Sequence, residues 1–247
     1  MQEADIDVWT TRLFNEYLAA PLTSFLTAIG HPPVRPDHPW ENWITMELLV
    51  VVIILVLFAF LRPRLSVDKP GKLQLVFEAM YDLFGSQAKE GIDHGYEKYV
   101  PFAGTLFIFV LFMNLIGLIP GFESPTMTAA VPAGLAVSVF LYYNYMGMRA
   151  HGIGKYLAHF AGPMPVLAPL MIPIEIISHL ARPLSLTIRL FANMFAGEKV
   201  TAAFLGLTYL VLPSVFMGLH TFVAFLQAFI FMLLTIIYVG SAVGHEQ

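Results

Sequence analysis

Glu175, Ser178, Arg182, Ser185, Arg189 and Asn193 recur at steps of three and four residues, which puts six polar side chains on one face of a single helix. Arg189 is the most demanding of them. It is the only charge between Arg182 and Glu198 in an otherwise apolar run, and an arginine at the centre of a bilayer costs about 2.5–3.5 kcal/mol on insertion scales unless it finds water or a partner. Its guanidinium stays protonated in proteins, so it supplies a fixed positive charge and cannot relay protons. The carboxylates of its own helix are out of reach. Glu198 lies nine positions on, about 180° around at 3.6 residues per turn, and Glu175 shares the face but lies 14 positions away. A mobile or intermolecular anion is therefore favoured as its partner over a buried ion pair that fixes packing. Arg182 reads the other way, because it lies nearer the inner surface, where a long side chain snorkels to water.

A second apolar stretch carries His220 and Gln227, seven residues apart and so on one helical face. If the two stretches pair as an antiparallel hairpin, Glu198 opposite His220 and Arg189 opposite Gln227 both put the turn near residues 208–209. That agrees with a helix break before Pro213. Glu198 and His220 would then form a proton-accepting pair toward the outer face; taken alone, His220 reads equally well as a satisfied core histidine. Asn114 on an earlier span either adds a polar wall to the same region or hydrogen-bonds between helices. Glu175, Ser178 and His179 form a second, offset polar region on the inner half. The pattern describes two half-pathways separated by a fixed positive charge.

The elements that position these residues must be membrane helices. Of the 247 residues, 57% are hydrophobic and only 12% charged, against roughly 25% charged in ordinary globular chains, and the mean hydropathy is +0.72. A net charge of -4 offers no basic surface for nucleic acid, and the absence of cysteine excludes disulfides and thiolate metal sites. The acidic start Met1–Asp7 lacks the basic region of a secretory leader. Uncharged stretches of span length occur at Trp43–Leu61, with Glu47 as its one acid, at Tyr99–Phe122 and at Ser124–Met148. From Met164 to Gly244 the chain is almost wholly apolar and too long for one upright helix, so two helices well over 25 residues each are expected there. A helix of about 40 residues is roughly 60 Å long and must tilt steeply in a layer half as thick.

Arg62, Arg64, Lys69 and Lys72 follow the first span and mark the cytoplasmic side, which puts the amino end outside and, after five crossings, the carboxyl end inside. Leu13, Phe14, Tyr17, Leu18, Leu22, Phe25 and Ile29 form a helical apolar stripe before the proline-rich loop His31–Pro39, and Leu73, Val76, Phe77, Met80, Tyr81 and Phe84 form another on the inside. The expected fold is an all-α integral membrane protein. It has about five crossing helices plus amphipathic surface helices, with the last two crossings forming a long, steeply tilted antiparallel hairpin. Residues 1–40 are an outside amphipathic segment and loop, and 41–247 a single transmembrane domain. No phosphate-binding loop, metal cluster, nucleophilic constellation or internal repeat is evident, so neither turnover by the chain alone nor a cofactor is expected. From these residues alone, an anion transporter that binds its substrate at Arg189 and a structural scaffold remain alternatives to an ion-conducting subunit.

The segment Leu184-Ser185-Leu186-Thr187-Ile188-Arg189-Leu190-Phe191-Ala192-Asn193-Met194-Phe195-Ala196-Gly197-Glu198 closely resembles the hallmark stretch of the F-type ATP synthase subunit a family. Leu226-Gln227-Ala228-Phe229-Ile230-Phe231-Met232-Leu233-Leu234-Thr235-Ile236-Ile237-Tyr238 is similar to that family's last helix, and Asn114-Leu115-Ile116-Gly117-Leu118-Ile119-Pro120-Gly121 is a weaker match. The resemblance spans about residues 44–243. It implies a stator in a bacterial inner membrane, beside a rotating ring of small hairpin c-type subunits and held by b-type peripheral-stalk subunits within the ATP synthase. Arg189 then matches the essential arginine that faces the ring carboxylates. Glu198, His220, Asn193 and Gln227 match half-channel or arginine-neighbouring positions, and Glu175 an acid on the inner path. Gly117 stands where some bacterial members carry an acid. The coupling ion, with protons the commoner case, is selected mainly on the ring.

Overall fold

The computed structural model describes residues 8–30, 38–92, 95–119, 121–159, 168–205 and 211–244. The helices are α1 (Trp9–Ala28), α2 (Asn42–Leu61), α3 (Lys72–Gly91), α4 (Val100–Ile116), α5 (Ala130–His151), the short α6 (Ile153–His159), α7 (Ala168–Leu205) and α8 (Val211–Val243). The described residues contain no strand. Each of the five expected crossings is a helix: α2, α4, α5, α7 and α8. On length and composition together, three stretches among the described residues qualify as spans, Asn42–Arg64, Tyr96–Ile116 and Pro213–Val243. The tyrosines and asparagine of α5 and the charges of α7 lower their hydropathy.

α8 is the centre of the packing. It lies against α4, α5, α7 and the carboxyl-terminal half of α3, and α5 also packs on α7. Ala224, Ala228, Phe231, Met232, Ile236 and Val239 of α8 are buried against Phe107, Val110 and Met113 of α4 and Val139 and Tyr143 of α5. Small residues set the closest approaches: Gly240 leaves no room for a Cβ beside the Gly91 carbonyl of α3, and Gly147 none beside the Tyr156 ring. α2 is apolar on every side, and Val52, Leu55 and Phe60 are exposed, as expected of a span that faces lipid. Its end is set by Arg62–Arg64, a 3-10 turn with proline at its start.

α7 has 38 residues and α8 has 33, lengths of about 57 and 50 Å at 1.5 Å per residue. Both exceed a hydrocarbon layer of about 30 Å, so the pair lies inclined. They run antiparallel: Phe204 stacks on Phe216 at 4.3 Å, Gly197 meets His220, and Arg182 reaches Ser241. The turn expected near residues 208–209 lies outside the described residues. Pro173 and Pro183 sit inside α7, where each lacks the N–H that an interior helical position donates.

The two amphipathic stripes turn largely away from the rest of the protein. α1 turns its polar side inward, with Thr10, Thr11 and Asn15 buried, while Leu13, Tyr17, Leu18 and Phe25 are exposed. The outer surface of a membrane protein meets lipid headgroups and acyl chains, so an apolar stripe finds its solvent there and the polar face pairs with protein. On α3, Leu73, Val76 and Tyr81 are likewise exposed, and only Phe84 and Ala88 on its later turns are buried with Gln74.

Candidate functional site

The hairpin of α7 and α8 positions most of the polar residues, with α4 and α5 behind it. Arg189 lies on the exposed side of α7, beside exposed Ser185, Ile188 and Ala192. Leu190 and Met194 of the same helix are buried, at 1% and 0% exposure, so the helix faces are sharply divided. Among the described residues Arg189 has no hydrogen bond, ion pair or ring contact. On the same helix Leu184, Ile188 and Phe195 expose large apolar surfaces, and Leu219 and Phe222 of α8 are exposed as well. A permanent cation on an apolar face is costly in hydrocarbon unless a partner or water answers it.

Arg182, seven residues earlier, is held quite differently. Its Nη1 donates to Ser241 Oγ at 3.1 Å, and its guanidinium carbon stands 5.2 Å from the Tyr238 ring centroid and 5.9 Å from that of Tyr143. This arginine is a tether from α7 to α8 and α5, satisfied by cation–π and hydrogen-bond contacts inside the chain.

Next to it lies a polar cluster on the inner half. His179 is buried, and its Nε2 lies 2.9 Å from Asn144 Oδ1 and 3.2 Å from the Tyr143 hydroxyl. An amide oxygen only accepts, so Nε2 carries the proton and donates it to Asn144. The Tyr156 hydroxyl donates to the same oxygen at 2.9 Å. Burial holds the Tyr156 phenol above its ordinary range, opposed by the nearby Arg182 charge and reinforced by that of Glu175, which keeps it a donor. Glu175, half-buried, thus borders this cluster, while Ser178 is exposed on the same side of α7 as Arg189. The sequence pattern singled out Glu175, Ser178 and His179 but missed Tyr143, Asn144 and Tyr156. Their signal was present in α5, where Ala136, Val139, Tyr143 and Gly147 recur at three and four residues and are all buried.

On the outer half, His220 lies against the α7 backbone at Gly197, where a Cβ would stand 2.8 Å from its Cε1. That is one residue from the pairing with Glu198 expected from the hairpin register. Among the described residues no hydrogen bond joins Glu198 to His220, or Arg189 to Gln227. Glu198 and Asn193 are half-buried, and Gln227 is buried on the α8 face that also carries Ala224 and His220.

Asn114 meets that face directly. It is fully buried, its Nδ2 donates to the Ala224 carbonyl at 3.2 Å, and its Oδ1 accepts from Thr126 at 2.8 Å. Thr126 in turn lies 2.7 Å from Ser124 Oγ, which donates to the Met113 carbonyl at 2.9 Å. A chain of buried hydrogen bonds therefore ties α4, α8 and the 3-10 turn Pro125–Met127 together.

A family model described as ATP synthase A chain matches residues 44–240, a stretch that includes all of the polar residues above except Ser241. The chain belongs to the ATP synthase subunit a family. Proteins named ATP synthase subunit a are similar over nearly its whole length. The one from Solibacter usitatus is 62% identical over 234 residues, covering 95% of this chain and 100% of the relative. That from Koribacter versatilis is 46% identical over 238 residues, 96% of this chain and 97% of the relative. One from Campylobacter jejuni is 43% identical over 200 residues, 80% and 88% respectively. This subunit a is accordingly a bacterial membrane protein and a component of a rotary F-type ATP synthase, acting with that complex's other subunits rather than as an enzyme by itself. α1 and Asn42 precede the stretch of this subunit that the family model matches.

Proposed function

We propose that this chain is the ion-translocating stator of the complex, with Arg189 facing the membrane carboxylates of a ring of small hairpin subunits. The observation that carries the reading is the exposed Arg189 on an apolar face of α7 with no anionic partner among the described residues. A carboxylate from another chain satisfies that charge, and the surrounding Leu184, Ile188 and Phe195 suit a neighbour that slides along lipid.

The physics of coupling follows from one contrast. A ring carboxylate surrounded by lipid must be protonated, because an isolated charge in hydrocarbon is too costly. About 4 Å from Arg189 at an effective dielectric of about 20, the ionised form gains about 4 kcal/mol, or roughly three pKa units. Loss and uptake of the proton on opposite sides of Arg189 therefore drive rotation in one sense. Glu198, His220, Asn193, Gln227 and Asn114 form the outer half-pathway, and Glu175 and Ser178 open the inner one. Arg189 is the barrier between them, since it cannot itself pass a proton. In this reading residues 1–40 lie outside and the rest forms one transmembrane domain with its carboxyl terminus in the cytoplasm. b-type stalk subunits hold it against the ring.

The test is Arg189→Ala in the assembled complex in inverted membrane vesicles. ATP-driven proton pumping should vanish, while ATP hydrolysis by the soluble sector, once released, continues. Normal pumping by that variant would sink the proposal. Single cysteines on the Arg189 face of α7 should also cross-link to a small ring subunit at helical intervals, an experiment made clean by a chain with no cysteine.

A further inference from the structure

The turn from α2 into α3 carries charge that the ion pathway does not use. Arg62, Arg64, Lys69 and Lys72 stand close together in the chain with one acid, Asp68, among them. Residues 62–72 therefore hold four positive charges and one negative in a protein whose net charge is -4. All four basic residues are exposed, and among the described residues none of their side chains makes a hydrogen bond, ion pair or ring contact. Basic residues after a span mark the inside of any membrane protein. What distinguishes this group is the structure that holds it.

The 3-10 turn Arg62–Arg64 continues directly from the last turn of α2. Phe58 in that last turn packs on Phe77 of α3 with ring centroids 5.3 Å apart, so the second turn of α3 lies level with the end of the span. Buried Gln74 closes the loop between them. Its Oε1 accepts the Ser66 N–H at 3.0 Å, and its Nε2 donates to the Ser66 carbonyl at 3.0 Å and to Glu78 Oε1 at 2.7 Å. Along α3, Leu73, Val76 and Leu83 are exposed on the apolar stripe, and Lys72 borders it. Glu78 and Asp82 lie away from that stripe, about 120° and 80° around the helix from Lys72. The elbow is thus stapled at the membrane boundary, with acyl-compatible surface on one side of α3, acids on the other and the cations between them.

We propose that the α2–α3 elbow binds anionic phospholipid headgroups of the cytoplasmic leaflet through Arg62, Arg64, Lys69 and Lys72. The choice of leaflet rests on the orientation in the reading above. Charge and shape both fit this occupant. A guanidinium presents a planar fork to two phosphate oxygens and an ammonium a compact point charge, while the exposed stripe beside Lys72 suits the acyl chains of the same lipid. The lipid-facing side of α2 continues into the site, since Val52, Leu55 and Phe60 are exposed above it. The bound lipid anchors the start of α3, whose far end supports α8 where Gly91 meets Gly240.

The cysteine-free chain takes a single reporter, Val67→Cys, at a loop residue that is 98% exposed. The full chain, labelled there with a small fluorophore, is placed in phosphatidylcholine vesicles that carry a minor share of nitroxide-bearing phosphatidylglycerol or, as control, nitroxide-bearing phosphatidylcholine. Quenching by the phosphatidylglycerol should exceed the control about fivefold at low salt. It should fall toward parity in about 1 M salt, where charges are screened within about 3 Å. Replacing Arg62, Arg64, Lys69 and Lys72 together by Gln should abolish the preference, whereas Arg149→Gln with Lys155→Gln, two exposed cations elsewhere in the chain, should leave it. Equal quenching by the two lipids in the native chain, or a preference that survives the fourfold replacement, overturns the proposal. So does a native chain without lipid preference whose fourfold variant fails to assemble, which assigns the elbow to an acidic segment of another subunit. A membrane-impermeant thiol reagent should reach Val67→Cys in inverted vesicles only. Reaction only in right-side-out vesicles overturns the orientation and with it the leaflet, a failure separate from the loss of lipid preference.

Discussion

Gly197→Ala is a one-methyl change whose effect follows directly from the packing of α7 on His220. Gly197 has a helical backbone without positive φ, so alanine there favours the helix by about 1 kcal/mol. Its methyl, however, would lie nearer to His220 Nδ1 than to Cε1, itself 2.8 Å away, and ordinary contact begins at 3.4 Å, so the imidazole must withdraw by about 1 Å or the helices must part. Overpacking of this kind costs about 1–3 kcal/mol. The net cost is about 0–2 kcal/mol, and the subunit is expected to assemble. Proton transfer is less tolerant: it needs heavy atoms within about 2.6–3.2 Å, and a misplacement on the order of 1 Å costs up to about 100-fold. Gly197→Ala should therefore lower passive proton conductance by roughly 10- to 100-fold while ATP hydrolysis and subunit content hold steady. The assay is conductance of stripped vesicles alongside immunodetection of the subunit. The same change on a His220→Ala background should have no further effect, because the group it displaces is gone. Native conductance in Gly197→Ala, or an undiminished effect in the double variant, would refute the reasoning.

Three further outcomes are expected. Arg182→Ala removes a hydrogen bond and two aromatic contacts that join α7 to α8 and α5, and should destabilise the purified subunit by about 2–3 kcal/mol. A lowered melting temperature in detergent checks this, and the assembled complex should retain measurable pumping, unlike Arg189→Ala. Asn114→Leu leaves the Ala224 carbonyl and the Thr126 hydroxyl without their partner and should cost about 2–4 kcal/mol, read as earlier unfolding in denaturant titration. Gly240→Ala drives a methyl into the Gly91 carbonyl, which backbone cannot easily yield. It should reduce the amount of assembled subunit in membranes, measured by immunoblot.

Much of the architecture was legible in the amino-acid order because a bilayer imposes a simple code. Backbone groups in hydrocarbon must bond within their own helix, so apolar runs and the prolines and basic residues that punctuate them mark α2, α4, α5 and the hairpin. The polar stripe from Glu175 to Asn193 was equally plain, since a helical period of 3.6 needs no partner to be recognised. Even the register of the hairpin came within one residue, at Gly197 and His220.

What the order of residues did not determine was which way each polar group faces and what answers it. Arg182 and Arg189 share a helical stripe, yet the first is anchored on Tyr143, Tyr238 and Ser241 and the second is exposed. The difference depends on where α5 and α8 end beside α7. The stripe on α1 was visible, but its apolar side faces outward because the medium outside is lipid, a boundary condition no local period contains. Asn42 and Glu123 are separated by 81 positions along the chain. Only the return of the α4–α5 connection over Gly117 brings them together, because side-chain volume and hydrogen-bond partners far apart in sequence decide that approach together.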